Sequence, residues 1–353
     1  MQKAREPAGL LHFPDRPGAY GDAMPPQQPP AVATARPLLS GTTFGMFAIV
    51  VPIWLLSLVV VALPAYGAAV LAGWPRVTVV IVACAAWTAS AALILIRPVE
   101  AGLARLLYRS LRRPRAAELA RITPALERVC RRAGTDPRRY LLRVEEKRQV
   151  NAFALGGHVL AVTRVALELP DDMLEAVLAH EVGHHRHLHP LAIILGWWYL
   201  LPFEAGDRLL RAIRRITRWL SRAFGRLNDR TGGLAGGRAP DGALGMLALL
   251  LVLGVLVLVG GVLVVALGLL WLPLSLLVRV AKVLSAALSR AGEHAADRHA
   301  AELGYGPGLV QVLFLFQQAE FAAPRPRGMA ALLRSHPSSQ ARIDAIRRTA
   351  HLS

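Results

Sequence analysis

The sequence predicts a mainly α integral membrane protein, with about four transmembrane helices and an α+β domain carrying a small β-sheet. Three observations predict it. Hydrophobic residues make up 54% of 353 residues and the mean hydropathy is +0.41, too apolar for a water-soluble chain of this length. Uncharged apolar runs reach the length needed to cross about 30 Å of hydrocarbon. Between them lie polar stretches with helical and strand periodicity, one of which carries the string H-E-V-G-H at His180–His184.

Residues 1–43 are rich in proline and poor in large apolar groups, the composition of a disordered tail. The first apolar run begins too late for a cleavable leader. Residues 44–97 read as a transmembrane helical hairpin: Phe44–Trp74 and Val77–Ile96 are separated by a short turn at Gly73, Pro75 and Arg76. Pro52 and Pro64 are tolerable kinks in a membrane helix. Arg97, Arg105, Arg109, Arg112, Arg113 and Arg115 follow, a cluster of the kind retained in the cytoplasm.

Residues 98–190 form the first part of a polar domain. The spacing predicts a helix over 115–133 that stops at Gly134, and strands at Tyr140–Val144 and Val159–Val165 around a turn at Gly156 and Gly157. An exposed edge strand here would accept an extended peptide through backbone hydrogen bonds. Asp172 and Glu175 suggest a capping box at the start of a helix that carries H-E-V-G-H.

Residues 191–278 are expected to enter the membrane. Leu191–Phe203 is apolar but short. A basic amphipathic stretch follows, with Leu209, Leu210, Ile213, Ile216, Leu220 and Phe224 on one face and most of the arginines on the other; it is expected to lie on a membrane surface, a soluble helix being the alternative. Ala243–Val278 is the longest apolar run. Residues 279–353 then return to the polar domain.

The formal charge of +18 comes almost wholly from arginines beside apolar runs, which favours anionic lipid over nucleic acid as the partner. Abundant arginine and alanine with little lysine point to a GC-rich bacterial genome. Two isolated cysteines, Cys84 and Cys130, exclude a disulfide scaffold and a thiolate metal site.

On a helix, His180 and His184 share one face a turn apart and can hold one tetrahedral zinc ion per chain. Glu181 is displaced by about 100° around the axis, so it reaches a water beside the metal and serves as the general base. A third ligand is required. His187 and His189 are near, but a third histidine of the metzincin spacing would need glycine at 187 and histidine at 190, which hold His187 and Pro190. Glu293 is the better choice, with Asp297 one turn later able to orient a zinc-bound imidazole. The remaining histidines, His185, His187 and His189, read as spare surface groups or as a weak second metal site.

If His184 and Glu293 share one ion, the chain crosses the bilayer an even number of times between them. Either Leu191–Phe203 is the second crossing or the 243–278 run folds back at Gly260 and Gly261. The first is favoured, because unsatisfied backbone in lipid is costly.

The order of these segments resembles the membrane-embedded zinc metallopeptidases that include the HtpX proteins and the CAAX prenyl-protein endopeptidases. The resemblance runs over residues 45–348 and rests on the apolar hairpin, Asn151-Ala152-Phe153-Ala154, H-E-V-G-H, the membrane insertion, Glu293–Asp297, and Ser335-His336-Pro337 followed by Arg342-Ile343. It implies a gluzincin-type α+β catalytic domain (HExxH plus ExxxD) and hydrolysis of peptide bonds in protein or peptide substrates, membrane proteins above all. It further implies that Asn151 approaches the substrate and that His336 supports the oxyanion. The expectation is a multi-pass cell-membrane enzyme with its catalytic site facing the cytoplasm, acting in quality control. The alternatives are a narrow-specificity processing protease and a catalytically silent membrane scaffold or metal-sensing regulator.

Overall fold

In the computed structural model, residues 41–232, 243–322 and 337–351 are described. They are mostly helical, with one small mixed sheet. The chain divides into two compact units. Among the described residues, one takes in 41–43, Arg97–Leu191 and those from Ser289 on; the other comprises those within Phe44–Ile96 and Ala192–Leu288.

In the second unit, α1 (Gly41–Ala72) and α2 (Arg76–Ser90, continued by a 3-10 turn to Leu95) form the expected hairpin, turning at Gly73 with φ 69°. Its polar side chains satisfy one another, as apolar surroundings demand. Trp54 Nε1 donates to Thr88 Oγ1 at 3.0 Å, and Trp87 Nε1 to Ser57 Oγ at 2.9 Å. The apolar Leu191–Phe203 stretch and the arginine-rich stretch after it are one continuous helix, α6 (His189–Gly232). Trp198 on α6 stacks on Trp87 and donates to Ser90 Oγ at 3.0 Å.

The long apolar run lies in α7 (Ala243–Glu302), which passes Gly260 and Gly261 without turning back. The fold-back alternative is therefore absent from this helix. Against α7, Phe203 and Gly206 of α6 meet Trp271, Thr217 meets Gly260, and Phe224 meets Gly254. Asp207 accepts the Trp271 indole N–H at 2.6 Å. Of the apolar face expected of the basic stretch, Leu210, Ile213, Leu220 and Phe224 are half-buried and Leu209 and Ile216 are exposed. Among the described residues, three helical stretches are long and apolar enough to cross a membrane: Thr43–Ala72, Arg76–Leu95 and Leu250–Glu302.

The first unit is an α+β domain. Its helices are α3 (Arg97–Leu107), α4 (Ala116–Ala133), α5 (Asp171–Arg186), the end of α7, α8 (Gly306–Ala322) and α9 (Ser339–His351). The strands β1 (Leu111–Arg112), β2 (Leu141–Glu145), β3 (Ala152–Leu155) and β4 (Val159–Thr163) lie in the order β1-β2-β4-β3. β2 and β4 are parallel, with Leu141 opposite Val159; β3 pairs antiparallel with β4, with Phe153 opposite Ala161. All five residues of β4 are buried, as suits a central strand covered on both faces. The core joins Ile122, Leu126 and Val129 of α4, Leu174 and Leu178 of α5, Leu160 of β4, Leu313 of α8 and Ile343 of α9.

α4 ends as expected, at Gly134 with φ 63°. The expected capping box at Asp172 is not formed. α5 begins at Asp171 behind Pro170, and Glu175 is drawn away by Arg128, whose Nε donates to it at 2.6 Å. One carboxylate fixes the turn between β3 and β4. Glu100 of α3 is fully buried and accepts the backbone N–H groups of His158 and Val159 at 2.8 and 2.9 Å. Gly156 in that turn has φ 58°, and a Cβ there would meet Glu100 Oε1 at 2.6 Å, so both the conformation and the space require glycine.

Candidate active site

Helix α5 presents His180 and His184 on one face, and α7 brings Glu293 to them. His180 Nε2 lies 3.1 Å from His184 Nε2 and 3.5 Å from Glu293 Oε2, and His184 Nε2 lies 3.3 Å from Glu293 Oε1. Ligands about 2.0–2.2 Å from a tetrahedral zinc ion are separated by roughly 3.3–3.5 Å, so the triangle has the dimensions of three corners of such a site. Among the described residues this is the one group of histidines, cysteines and carboxylates that meets within ligand distance.

The helices approach closely because of Gly183, inside the H-E-V-G-H string. A Cβ there would stand 3.1 Å from the Ala296 Cα and 3.2 Å from the Ala296 oxygen of α7. Glycine thus sets the separation at which a glutamate on one helix reaches imidazoles on the other. Nothing in the spacing of the string marks this residue as more than filler.

Asp297, one turn beyond Glu293, is 1% exposed, and its Oδ1 lies 2.9 Å from His180 Nδ1. Arg342 of α9 closes the cluster. Its Nε and Nη2 donate to the two Asp297 oxygens at 2.8 and 2.6 Å, and its Nη1 stands 3.0 Å from Glu293 Oε2. Arg342 stands in the late motif of the sequence, where nothing local marks this task.

The electrostatics of the pocket favour positive charge. Burial pushes the His180 imidazole down, yet hydrogen bonds to Asp297 and Glu293 outweigh it and raise its pKa to about 10. Burial likewise opposes charge on Arg342, and the carboxylates of Asp297, Glu293 and Glu181 reverse the effect and raise it. Asp297 would be pushed up by burial; Arg342 and His180 bring it down to about 2. A buried place where carboxylates reward a cation, lined by ring nitrogens at ligand spacing, fits a divalent metal ion.

The other expected residues are placed less centrally. Glu181 follows His180 on α5 and is 5% exposed. Asn151 precedes the edge strand β3 with an exposed side chain, and its backbone carbonyl accepts from Thr163 N at 2.9 Å. His336 lies outside the described residues. The histidine run is not a set of surface groups. His185 and His189 are buried and His187 is half-buried. His185 Nε2 donates to the Val159 carbonyl at 3.1 Å, and burial lowers its pKa to about 3, so it is a neutral core residue tying α5 to the central strand.

A triad of candidate metal ligands between two helices, backed by a carboxylate and an arginine, in a chain with helices apolar enough to cross a bilayer, fits the class of membrane metallopeptidases. The chain belongs to peptidase family M48, whose sequence profile matches residues 116–232 and 240–350. It is also 42% identical over 89 residues to a protease HtpX homolog from Aeropyrum pernix; that stretch is 24% of this chain and spans 27% of the length of that protein.

Proposed function

We propose that the protein is a zinc-dependent metalloendopeptidase of HtpX type, cleaving protein or peptide substrates at the cytoplasmic face of a bacterial cell membrane, with membrane-protein quality control as its role. The observation that carries the reading is the triangle of His180, His184 and Glu293 at 3.1 to 3.5 Å. The family and the apolar helices support the same reading.

A bound zinc ion supplies a Lewis acid that polarises the scissile carbonyl and acidifies water. The residues of the chain do the rest. His180, His184 and Glu293 are the residues that would hold the metal. Asp297 accepts the Nδ1–H of His180 and so fixes that ring and its tautomer. Glu181 takes the proton of the attacking water and returns it to the leaving amine, so no covalent enzyme intermediate is needed. Arg342 keeps Asp297 ionised and aligned. Asn151, at the start of the edge strand, engages the substrate backbone, and His336 stabilises the oxyanion.

In this reading Leu191–Phe203 at the start of α6 is the third crossing and the apolar part of α7 is the fourth, which returns the chain to the side where Glu293 meets the two histidines. The test of the chemistry is Glu181→Gln in detergent, with metal quantified. Metal retained with proteolysis of unfolded casein lost is the expected result; cleavage at the wild-type rate would end the mechanism.

A further inference from the structure

The two histidines of the triad are held differently. His180 has a carboxylate at its outer nitrogen, whereas His184 has another imidazole: His184 Nδ1 lies 3.4 Å from His189 Nδ1. We infer that His189 is a positioning residue for the metal, accepting the Nδ1–H of His184 and fixing the ring that presents Nε2 to the ion. The inference rests on the metal-site reading above.

The chemistry of the pair gives its direction. A neutral imidazole that ligates through Nε2 carries its proton on Nδ1, and that proton needs an acceptor. His189 is 1% exposed, so its ring occupies the place that water would otherwise take. To accept at Nδ1 it carries its own proton on Nε2. No hydrogen-bond partner, donor or acceptor, reaches that nitrogen among the described residues, so the contact with His184 alone sets the tautomer.

Three features of the chain put the ring in place. Leu188, with φ 54°, is a non-glycine residue in the left-handed region; it turns the chain between α5 and α6 so that His189 faces the end of α5. Gly292 makes room for it on α7, since a Cβ at that position would stand 2.8 Å from His189 Nδ1 and Cε1. Gly292 is also the residue before Glu293, so one turn of α7 both seats this ring and delivers the third ligand. His187 stacks on the outer side of His189, with centroids 5.5 Å apart.

The arrangement is testable by isosteres. Asparagine places an amide oxygen where Nδ1 stands and accepts the same hydrogen bond; glutamine places its amide near the Nε2 position and does not. The full chain in detergent is stripped of metal and titrated with Zn2+ against a competing chelator, and with Co2+ while its d–d absorption is followed. We expect His189→Gln and His189→Leu to weaken metal binding by roughly 10–100-fold and to alter the Co2+ spectrum, and His189→Asn to stay close to wild type. Equal affinities for wild type and His189→Gln, or an Asn variant as weak as the Gln variant, would overturn the inference and leave the triad standing. Wild-type protein that binds neither ion would remove the metal-site reading itself, and this inference with it. If His189→Leu does not fold, the Asn and Gln pair, matched in polarity, still decides.

Discussion

Arg342 grips Asp297 with two parallel hydrogen bonds, at 2.8 and 2.6 Å, in a place where both side chains are almost wholly hidden from water. The same guanidinium reaches Glu293 at 3.0 Å. One guanidinium therefore contacts two buried carboxylates on α7, one a ligand candidate and the other the partner of His180.

Removing that cation leaves two buried carboxylates without the charge and the hydrogen bonds that Arg342 supplies. Arg342→Met is expected to destabilise the domain by about 3–5 kcal/mol, and Arg342→Lys by less, since a lysine keeps the charge but not the fork. Denaturant or thermal unfolding in detergent measures this, and an unchanged midpoint for Arg342→Met would contradict it.

Gly183→Ala places a methyl group against the backbone of Ala296, which cannot swing aside as a side chain would. The helices α5 and α7 must separate, at a cost of about 1–3 kcal/mol, and Glu293 is drawn from the imidazoles. The expected result is a folded but less stable protein whose zinc content falls at least tenfold after dialysis. Full metal content would show that the helix separation does not set the site.

Acid should loosen the start of α4. Glu118 is held well below the usual carboxylate range, at about 2, chiefly by the hydrogen bonds from Arg112, with burial opposing and the Arg115 N–H helping. Because the folded-state value is depressed, the stabilisation is complete above the ordinary value of 4.5 and is lost as the pH falls toward about 2. Glu118→Gln should be less stable than wild type at neutral pH and show a shallower loss across that window. Parallel stability curves for the two proteins would refute the assignment.

The four-crossing arrangement makes a topological prediction. A reporter fused at Arg230, near the end of α6, should signal from the outer face. A cytoplasmic signal would require a different path between His184 and Glu293.

What the sequence revealed follows the range of the interaction involved. His180, His184, Glu293 and Asp297 were legible because each pair sits four residues apart on a helix, a distance that periodicity resolves. The apolar hairpin was legible because lipid imposes a length. Arg342 was not assigned a role, because its partners lie 45 and 49 residues away in the chain and no local pattern marks a buried arginine. His185 and His189 looked like surplus polar groups at a helix end. Only the fold shows that one is bonded to β4 and that the other is seated by the missing side chain of Gly292. Strand β3 escaped because its four residues sit beside a glycine turn, and Glu100 because its role depends on a turn 56 residues further along. The capping box at Asp172 failed for a similar reason: Arg128, from another helix, takes the glutamate.

β3 is four residues long, ends the sheet, and is anchored at one end by the turn that Glu100 fastens. Along a strand only every second residue directs its backbone groups to a given side, so this lip can grip a visiting chain at about two residues. Under the proposed endopeptidase function, so short a handhold reads little of what it touches and favours any chain that is extended and accessible.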